Sequence, residues 1–388
     1  MSDAIQCQQC GGAMEKTQKA EKVGCGGWLI GFIGLGLLFL YPVGTIFGVI
    51  LILAASPAAG QRIGLDGFYL AQRHLTLLPL ALALMFTVSL LSPRWVKRIA
   101  VIGFAAAILL CLLTLFVGAE IKGATRWITL AGFSLQPSEI LKPTFAVVCA
   151  WMFAHGAKDP TFPGAWITAG LGLLSVSLLM LQPDVGQTFV LTAVWSVQFF
   201  LAGLPMLWVA LIAAGVAVGL AGAYFVLPHV AQRIDSFLDP SAGDRYQIQR
   251  SMEAFMNGGL FGRGPGEGTV KGLLPDAHSD FIFAVAGEEL GLLACLLIVA
   301  LFAFVVLRGF SRAFHDNSLF VLLATAGLLT QVGLQSLINM ASSLHLIPTK
   351  GMTLPFISYG GSSLLALALT LGMVLALTRR RVGPGGEP

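Results

Sequence analysis

The sequence predicts an all-α, polytopic membrane protein of about ten transmembrane helices with one large extracytoplasmic loop between the seventh and eighth. Composition carries that reading. Residues AVILMFWYC make up 56% of the 388 positions, charged residues only 11%, and mean hydropathy is +0.83. A soluble domain carries about a quarter charged residues, so a chain this long and this poor in charge has lipid as its main solvent. The 46 glycines suit helices packed in a bilayer, where small residues let backbones approach. The net charge of +4 is too small to point to nucleic acid.

A helix crosses the hydrocarbon core with about 20 apolar residues, or as few as about 17. Such runs are Leu29–Ala55, Leu75–Leu91, Ile99–Val117, Pro143–Ala154, Ala165–Leu181, Val185–Leu201, Leu204–Val226, Leu290–Leu307, Phe320–Met340 and Gly361–Leu377. The fourth is short unless it begins near Ser138, which draws Glu139 and Lys142 into the membrane. Only Gln182-Pro183-Asp184 separates the fifth from the sixth, so a tight turn joins them. The first run is too long for a cleavable leader and lacks a small-residue cleavage site.

Ten spans place both termini on one side. Twelve Lys and Arg flank the spans on that side, against five in the short loops opposite. The positive-inside bias makes the termini cytoplasmic and the long loop 227–280 external. The chain then divides into a cytoplasmic leader, 1–28, a membrane domain, 29–377, and a cytoplasmic tail, 378–388. In the leader, Cys7-Gln-Gln-Cys10-Gly-Gly with Cys25 reads as part of a zinc knuckle, one thiol short of a Cys₄ set; the alternative is a polar leader without metal. A cytoplasmic location argues against a disulfide. Cys111, Cys149 and Cys295 lie in apolar spans and read as small packing residues.

Ionisable residues in or beside spans are costly and mark function by default. They cluster in four segments, all assigned to the outer face. In Lys122…Arg126-Trp127…Gln136-Pro-Ser138-Glu139…Lys142, helical spacing sets Glu139 beside Lys142. That pair either neutralises itself at a helix entrance or holds a cation at the rim for an anionic headgroup. In Gln182-Pro183-Asp184, Asp184 can cap the sixth helix. The long loop carries Arg245, Gln247, Arg250, Arg263 and Lys271 around the run Gly258-Gly259-Leu-Phe-Gly262-Arg263-Gly264-Pro-Gly266, whose glycines permit the backbone approach that phosphate cradles require. It ends in Leu274-Pro-Asp-Ala-His278-Ser-Asp280, where polar loop becomes apolar helix. Asp280 is poised there as a general base or as a helix cap. The fourth segment, Pro348-Thr-Lys350-Gly351…Pro355-Phe-Ile-Ser358-Tyr-Gly-Gly-Ser-Ser363, breaks the helical pattern, as backbone lining a cavity does. Cations, glycines and one carboxylate on one face fit a lipid-linked phosphate or pyrophosphate donor.

These motifs, Gly123-Ala-Thr-Arg-Trp127 with Gln136-Pro-Ser-Glu139, Gln182-Pro-Asp184, Leu274 to Glu289 and Pro348 to Ser363, resemble in order those of the bacterial SEDS family, which includes FtsW, RodA and SpoVE. The resemblance runs from about Leu53 to Leu377. Ala277-His278 and Thr349-Lys350-Gly351-Met-Thr are closer to the division branch, FtsW, than to RodA. Residues 1 to about 52 depart from the pattern and look like a small zinc-ribbon membrane protein.

The resemblance implies a peptidoglycan glycosyltransferase that polymerises undecaprenyl-linked lipid II at the outer face of the bacterial cytoplasmic membrane, at the division septum. The family works with a class B penicillin-binding protein transpeptidase and other divisome membrane proteins. Carried onto this chain, the catalytic aspartate is Asp280. Arg126, Trp127, Glu139, Lys142, Arg245, Gln247, His278, Lys350 and Ser358 line the substrate site, and a divalent cation, Mg or Mn, shares the neutralisation of the leaving pyrophosphate. Two other functions compete: a lipid II flippase, which needs polar residues at the midplane, and a scaffold that only recruits a transpeptidase.

Overall fold

The computed structural model describes residues 44–379, apart from 61, 63, 65, 122–123, 131–132, 204, 227 and 239–245. The three thiols of the leader, Cys7, Cys10 and Cys25, the first part of the first span, and Arg245 lie outside the described residues. From Thr45 onward the chain forms one compact unit. Its helices are α1 (Gly44–Gly60), α2 (Tyr69–Ser89), α3 (Pro93–Val117), α4 (Pro137–Lys158), α5 (Gly164–Leu181), α6 (Val185–Leu201), α7 (Met206–Val226), α8 (Pro228–Leu238), α9 (Tyr246–Gly258), α10 (Ile282–Ala313), α11 (Leu319–Ser343) and α12 (Gly361–Thr378).

Seven of these, α2 to α5 and α10 to α12, are long and apolar enough to cross a membrane, and α1, α6 and part of α7 are shorter apolar helices. The architecture is that of a polytopic membrane protein. Burial sorts the spans: α4, α11 and α12 are 67–72% buried and form the centre, whereas α3 and α10 are only 28% buried. Phe116 and Phe225 are exposed on the outside of their helices.

Local chemistry sets the helix starts. Ser92 caps α3, accepting from the Trp95 amide at 3.4 Å, with Pro93 in the first turn, where a missing N–H costs nothing. Asp184 caps α6 by accepting from the Gln187 amide at 3.4 Å. The helix α4 begins at Pro137, not at Pro143, so Glu139 and Lys142 enter the bundle. Pro143 sits inside that helix and cannot donate to the Glu139 carbonyl.

Two features depart from a purely helical chain. Between α3 and α4, β1 (Ala119–Ile121), β2 (Ala124–Leu130) and β3 (Phe133–Leu135) form a small antiparallel sheet in the order β1-β2-β3. Thr125, Trp127, Ile128 and Thr129 favour the extended state. The second is a break inside α10 at Gly291, with φ 80° and ψ −179°, a left-handed φ that glycine reaches without strain. The outer glycine run stitches this break. The Leu292 amide donates to Gly259 O (2.9 Å) and Leu293 to Leu260 O (3.3 Å), while the carbonyls of Glu288 and Glu289 accept from Arg263 (3.0 Å) and Gly264 (2.9 Å). Backbone groups freed by the kink are thereby satisfied, as burial demands. A Cβ on Gly258 would fall 1.9 Å from Gly287 O, and one on Gly262 2.1 Å from Glu289 O. The glycines expected to cradle phosphate are therefore used in part to seal a broken helix.

Candidate functional site

Asp280 follows a turn in which the Asp276 carbonyl accepts from the amides of Ser279 (3.1 Å), Asp280 (3.0 Å) and Phe281 (3.3 Å). Asp276 itself takes φ 53°, a conformation that aspartate tolerates. The helix that follows begins at Ile282 with Phe281 at its cap position and no side-chain cap. Asp280 therefore precedes the cap position, and its half-buried side chain lies against a neighbouring segment: a Cβ on Gly351 would lie 3.1 Å from Asp280 Oδ2. The segment carrying Lys350 runs directly against this carboxylate.

The side chain of Asn339, on α11, holds the two strands of chain together. Its Nδ2 donates to the carbonyls of Asp280 (2.9 Å) and Met352 (2.6 Å). Ser358 adds a second tie, donating to Ser279 O at 2.6 Å while accepting from the Leu354 amide at 2.7 Å. The Tyr359 amide donates to His278 O at 2.8 Å, and the two rings lie 5.5 Å apart. Burial pushes the Tyr359 phenol above its ordinary range, against a smaller opposing pull from Arg73, so it stays a neutral hydroxyl.

One turn nearer the N-terminus of α11, Gln335 accepts from Lys142 Nζ at 3.2 Å and donates to Thr353 O and Oγ1, both at 3.2 Å. Lys142, 1% exposed, pairs with Glu139 at 3.1 Å. Glu139 also accepts from Gln187 Nε2 at 2.6 Å. The two charges therefore neutralise each other inside the bundle, the first of the alternatives that their spacing allowed.

On the other flank, Arg126 reaches from β2 to the turn before α6. It lies 3.6 Å from Asp184 Oδ1 and donates to the carbonyls of Gln182 (3.3 Å) and Pro183 (2.5 Å), with a quarter of its side chain exposed. Trp127, next on the same strand, is half-buried. The methylenes of Lys350 pack on Gly186, where a Cβ would come within 2.3 Å of Lys350 Cε. Lys350 and Arg126 thus both touch the segment 182–186. Gln247 sits in the first turn of α9 and makes no hydrogen bond to this set among the described residues.

Glu288 anchors the loop that leads to Asp280. It is fully buried and accepts from the amides of Thr269, Val270 and Lys271 and from Asn257 Nδ2, each at 2.8 Å. Beside it Glu289 pairs with Lys271. Lys271 is consequently held by protein, not offered to a ligand.

Sequence reading missed Asn339, Gln335, Gln187 and Glu288 as site residues. A signal existed: Gln331, Gln335 and Asn339 recur every four residues in an otherwise apolar span, a buried polar stripe that membranes rarely tolerate without use. No group of three or more His, Cys, Asp or Glu among the described residues could hold a metal ion. The divalent cation that the resemblance implies has no protein-built cage there.

Residues 35–382 match the FtsW/RodA/SpoVE family model of cell cycle proteins. The match takes in residues 35–52, which the motifs had left outside the resemblance. The chain is 48% identical over 340 residues to the probable peptidoglycan glycosyltransferase FtsW of Caulobacter vibrioides, covering 87% of each chain. It is 36% identical to the protein of the same description in Coxiella burnetii, over 85% of this chain and 92% of that one. Among solved structures, a chain from a peptidoglycan synthase complex that coordinates polymerization and crosslinking superposes with TM-score 0.73 at 30% identity, covering 89% and 97%. The rod-shape-determining protein RodA of Thermus thermophilus gives 0.67 at 29%, covering 90% and 97%.

Proposed function

The chain belongs to the FtsW/RodA/SpoVE family of cell cycle proteins, and from that premise we propose how it works as a peptidoglycan glycosyltransferase. Relatives that share most of its length carry that activity in their description. The substrate is lipid II, polymerised at the outer face of the cytoplasmic membrane during division. The observation that carries the assignment of the base is the approach of Asp280 to the Lys350–Gly351 segment, with Gly351 at the carboxylate.

In this reading Asp280 accepts the proton of the acceptor sugar hydroxyl as that oxygen attacks the anomeric carbon of the donor. The bond to undecaprenyl pyrophosphate breaks on the opposite face, so the configuration inverts. Lys350 and the exposed edge of Arg126 stabilise the departing pyrophosphate where its charge develops. Trp127 and His278 border the sugar, and Ser358 holds the Asp280 turn. The buried Lys142–Glu139 pair positions α4 against α11 instead of meeting substrate. By the resemblance, Arg245 and Gln247 are the outer-loop residues that meet the donor.

The membrane domain 29–377 is the catalytic unit, with both termini cytoplasmic. Its partner is a class B transpeptidase, in keeping with the polymerization and crosslinking complex that its fold matches. The test is lipid II polymerisation by reconstituted Asp280→Asn protein. Loss of polymer with the wild-type melting profile is expected. Full activity in that variant would remove Asp280 from the mechanism, and headgroup translocation that persists in it would favour the transport reading.

A further inference from the structure

We infer that the cytoplasmic ends of α3, α4 and α11 hold the phosphate headgroup of an anionic phospholipid, a site that rests on the orientation of the termini proposed above and not on the catalytic reading. The first two turns of α3 carry Arg94, Lys97 and Arg98, and α4 ends on Lys158. Lys97 reaches inward: its Nζ lies 4.2 Å from the ring centre of Phe320, at the start of α11, and 6.0 Å from that of Trp151 on α4. Arg94 and Lys158 both act on its charge. Lys97 is therefore a half-buried cation held among three helices.

Electrostatically this arrangement works against itself. A helix N-terminus carries partial positive charge and favours acids, yet the first turn of α3 has none. Arg94 and Arg98 stand at i,i+4, where like charges repel. Among the described residues no carboxylate forms an ion pair with Arg94, Lys97, Arg98 or Lys158. The acids that stand beside these elements in the chain are engaged locally. Asp159 Oδ1 accepts from the amide (3.0 Å) and hydroxyl (2.6 Å) of Thr161, and Asp316 Oδ1 from the Ser318 amide (2.9 Å). Cations gathered without a counter-charge call for an anion from outside the chain.

The surroundings choose a lipid. From Ile99 onward α3 is apolar, and Val101 and Ile102 are exposed, so the cations stand where hydrocarbon gives way to water. Trp95 is exposed beside them, with Arg98 Cζ 4.9 Å from its ring centre, an amphipathic ring at headgroup depth. A basic pocket between membrane helices on the cytoplasmic side suits an anionic headgroup. A soluble anion would meet the charges but leave the apolar surface of α3 without an acyl chain. Through Phe320 the headgroup would also fasten α11, the helix that carries Gln335 and Asn339, to α3 and α4.

Thermal unfolding of the purified protein in detergent tests this, with dioleoylphosphatidylglycerol titrated in against dioleoylphosphatidylcholine. Phosphatidylglycerol should raise the melting temperature of the wild type, and phosphatidylcholine should not. In Lys97→Gln and in Lys158→Gln the lipid content that gives half of the rise should increase about fivefold, and in the double variant about 25-fold. Lys158→Gln, at an exposed helix end, should melt as the wild type does when no lipid is added, so its altered response does not report a damaged fold. Arg308→Gln removes a cation of α10 that does not act on Lys97, and should keep the wild-type response. An equal loss in Arg308→Gln would mean diffuse surface charge and overturns the site. A rise of the same size with phosphatidylcholine or with sodium phosphate overturns it as well, as does an unchanged response in the double variant. Wild-type protein that responds to phosphatidylglycerol yet makes no polymer would strike the catalytic reading and spare this site.

Discussion

One side-chain nitrogen of Asn339 donates to the backbone carbonyls of both Asp280 and Met352, at 2.9 and 2.6 Å. The proposed base and the segment bearing Lys350 and Gly351 are thus registered by one residue of the central helix α11. An error of about 1 Å in such a constellation can cost about 10²-fold in rate. Asn339→Leu keeps the bulk and removes the donor. It should lower kcat about 10²-fold with little change in KM, measured as lipid II turnover at saturating substrate. A change confined to KM would show that Asn339 does not position the base.

Gly351 tests the same junction from the other side. A methyl there lies 3.1 Å from Asp280 Oδ2, tighter than ordinary contact, so the carboxylate has to turn aside. Gly351→Ala should cut kcat about tenfold, and Gly351→Val, with a stiff branched side chain, should cut it further. Both should retain the melting temperature of the wild type, read by a thermal-shift assay in detergent. Equal activity across the series would mean that the carboxylate has no fixed working position.

Much of the fold is legible in the amino-acid sequence itself. Apolar runs located the spans, and Asp184 was readable as a cap because proline and a short polar residue stood before an apolar helix. The proposal of Asp280 as the base starts from its place at the end of the polar loop. What escaped depended on pairing across distant segments. Nothing local to Asn339 says that it faces residues 280 and 352, and nothing in the run 258–264 says that it completes a helix broken at Gly291. The sheet at 119–135 escaped because three short strands sit between two strong membrane signals.

The stitched break predicts a gradient among glycines. Gly258→Ala drives a methyl to 1.9 Å from Gly287 O, a backbone atom that cannot yield cheaply, whereas a methyl on Gly272 meets nothing within 4 Å. Gly258→Ala should destabilise by about 3 kcal/mol or more, in the range of severe backbone and overpacking effects. Gly272→Ala should stay within about 0.5 kcal/mol of wild type. Denaturation in mixed micelles gives both values. A mild Gly258→Ala would mean that the loop is not docked on α10.

Glu288 should matter to stability more than to chemistry. Its carboxylate accepts from three consecutive backbone amides and from Asn257. Glu288→Ala leaves those donors buried, at about 1–3 kcal/mol for each orphaned group. The expected outcome is loss of folded protein on purification, with partial rescue by Glu288→Gln, which restores an acceptor. Normal yield and melting of the alanine variant would contradict the anchoring role.

The Lys142–Glu139 pair separates a structural from a catalytic part for two charges buried at the heart of the bundle. Removing one partner strands the other, a loss of about 3–5 kcal/mol, whereas replacing both by neutral residues of similar size is often tolerated. Lys142→Met should therefore unfold or inactivate the protein, since Glu139 is left with Gln187 alone. Adding Glu139→Gln to Lys142→Met should return the melting temperature toward wild type. If the pair only joins α4 to α11, polymerisation returns with the fold. If Lys142 meets the pyrophosphate during the reaction, the double variant folds and stays inactive. The buried geometry, with Lys142 already held by Glu139 and Gln335, favours recovery, so a folded and inactive double variant would move Lys142 back into the substrate site.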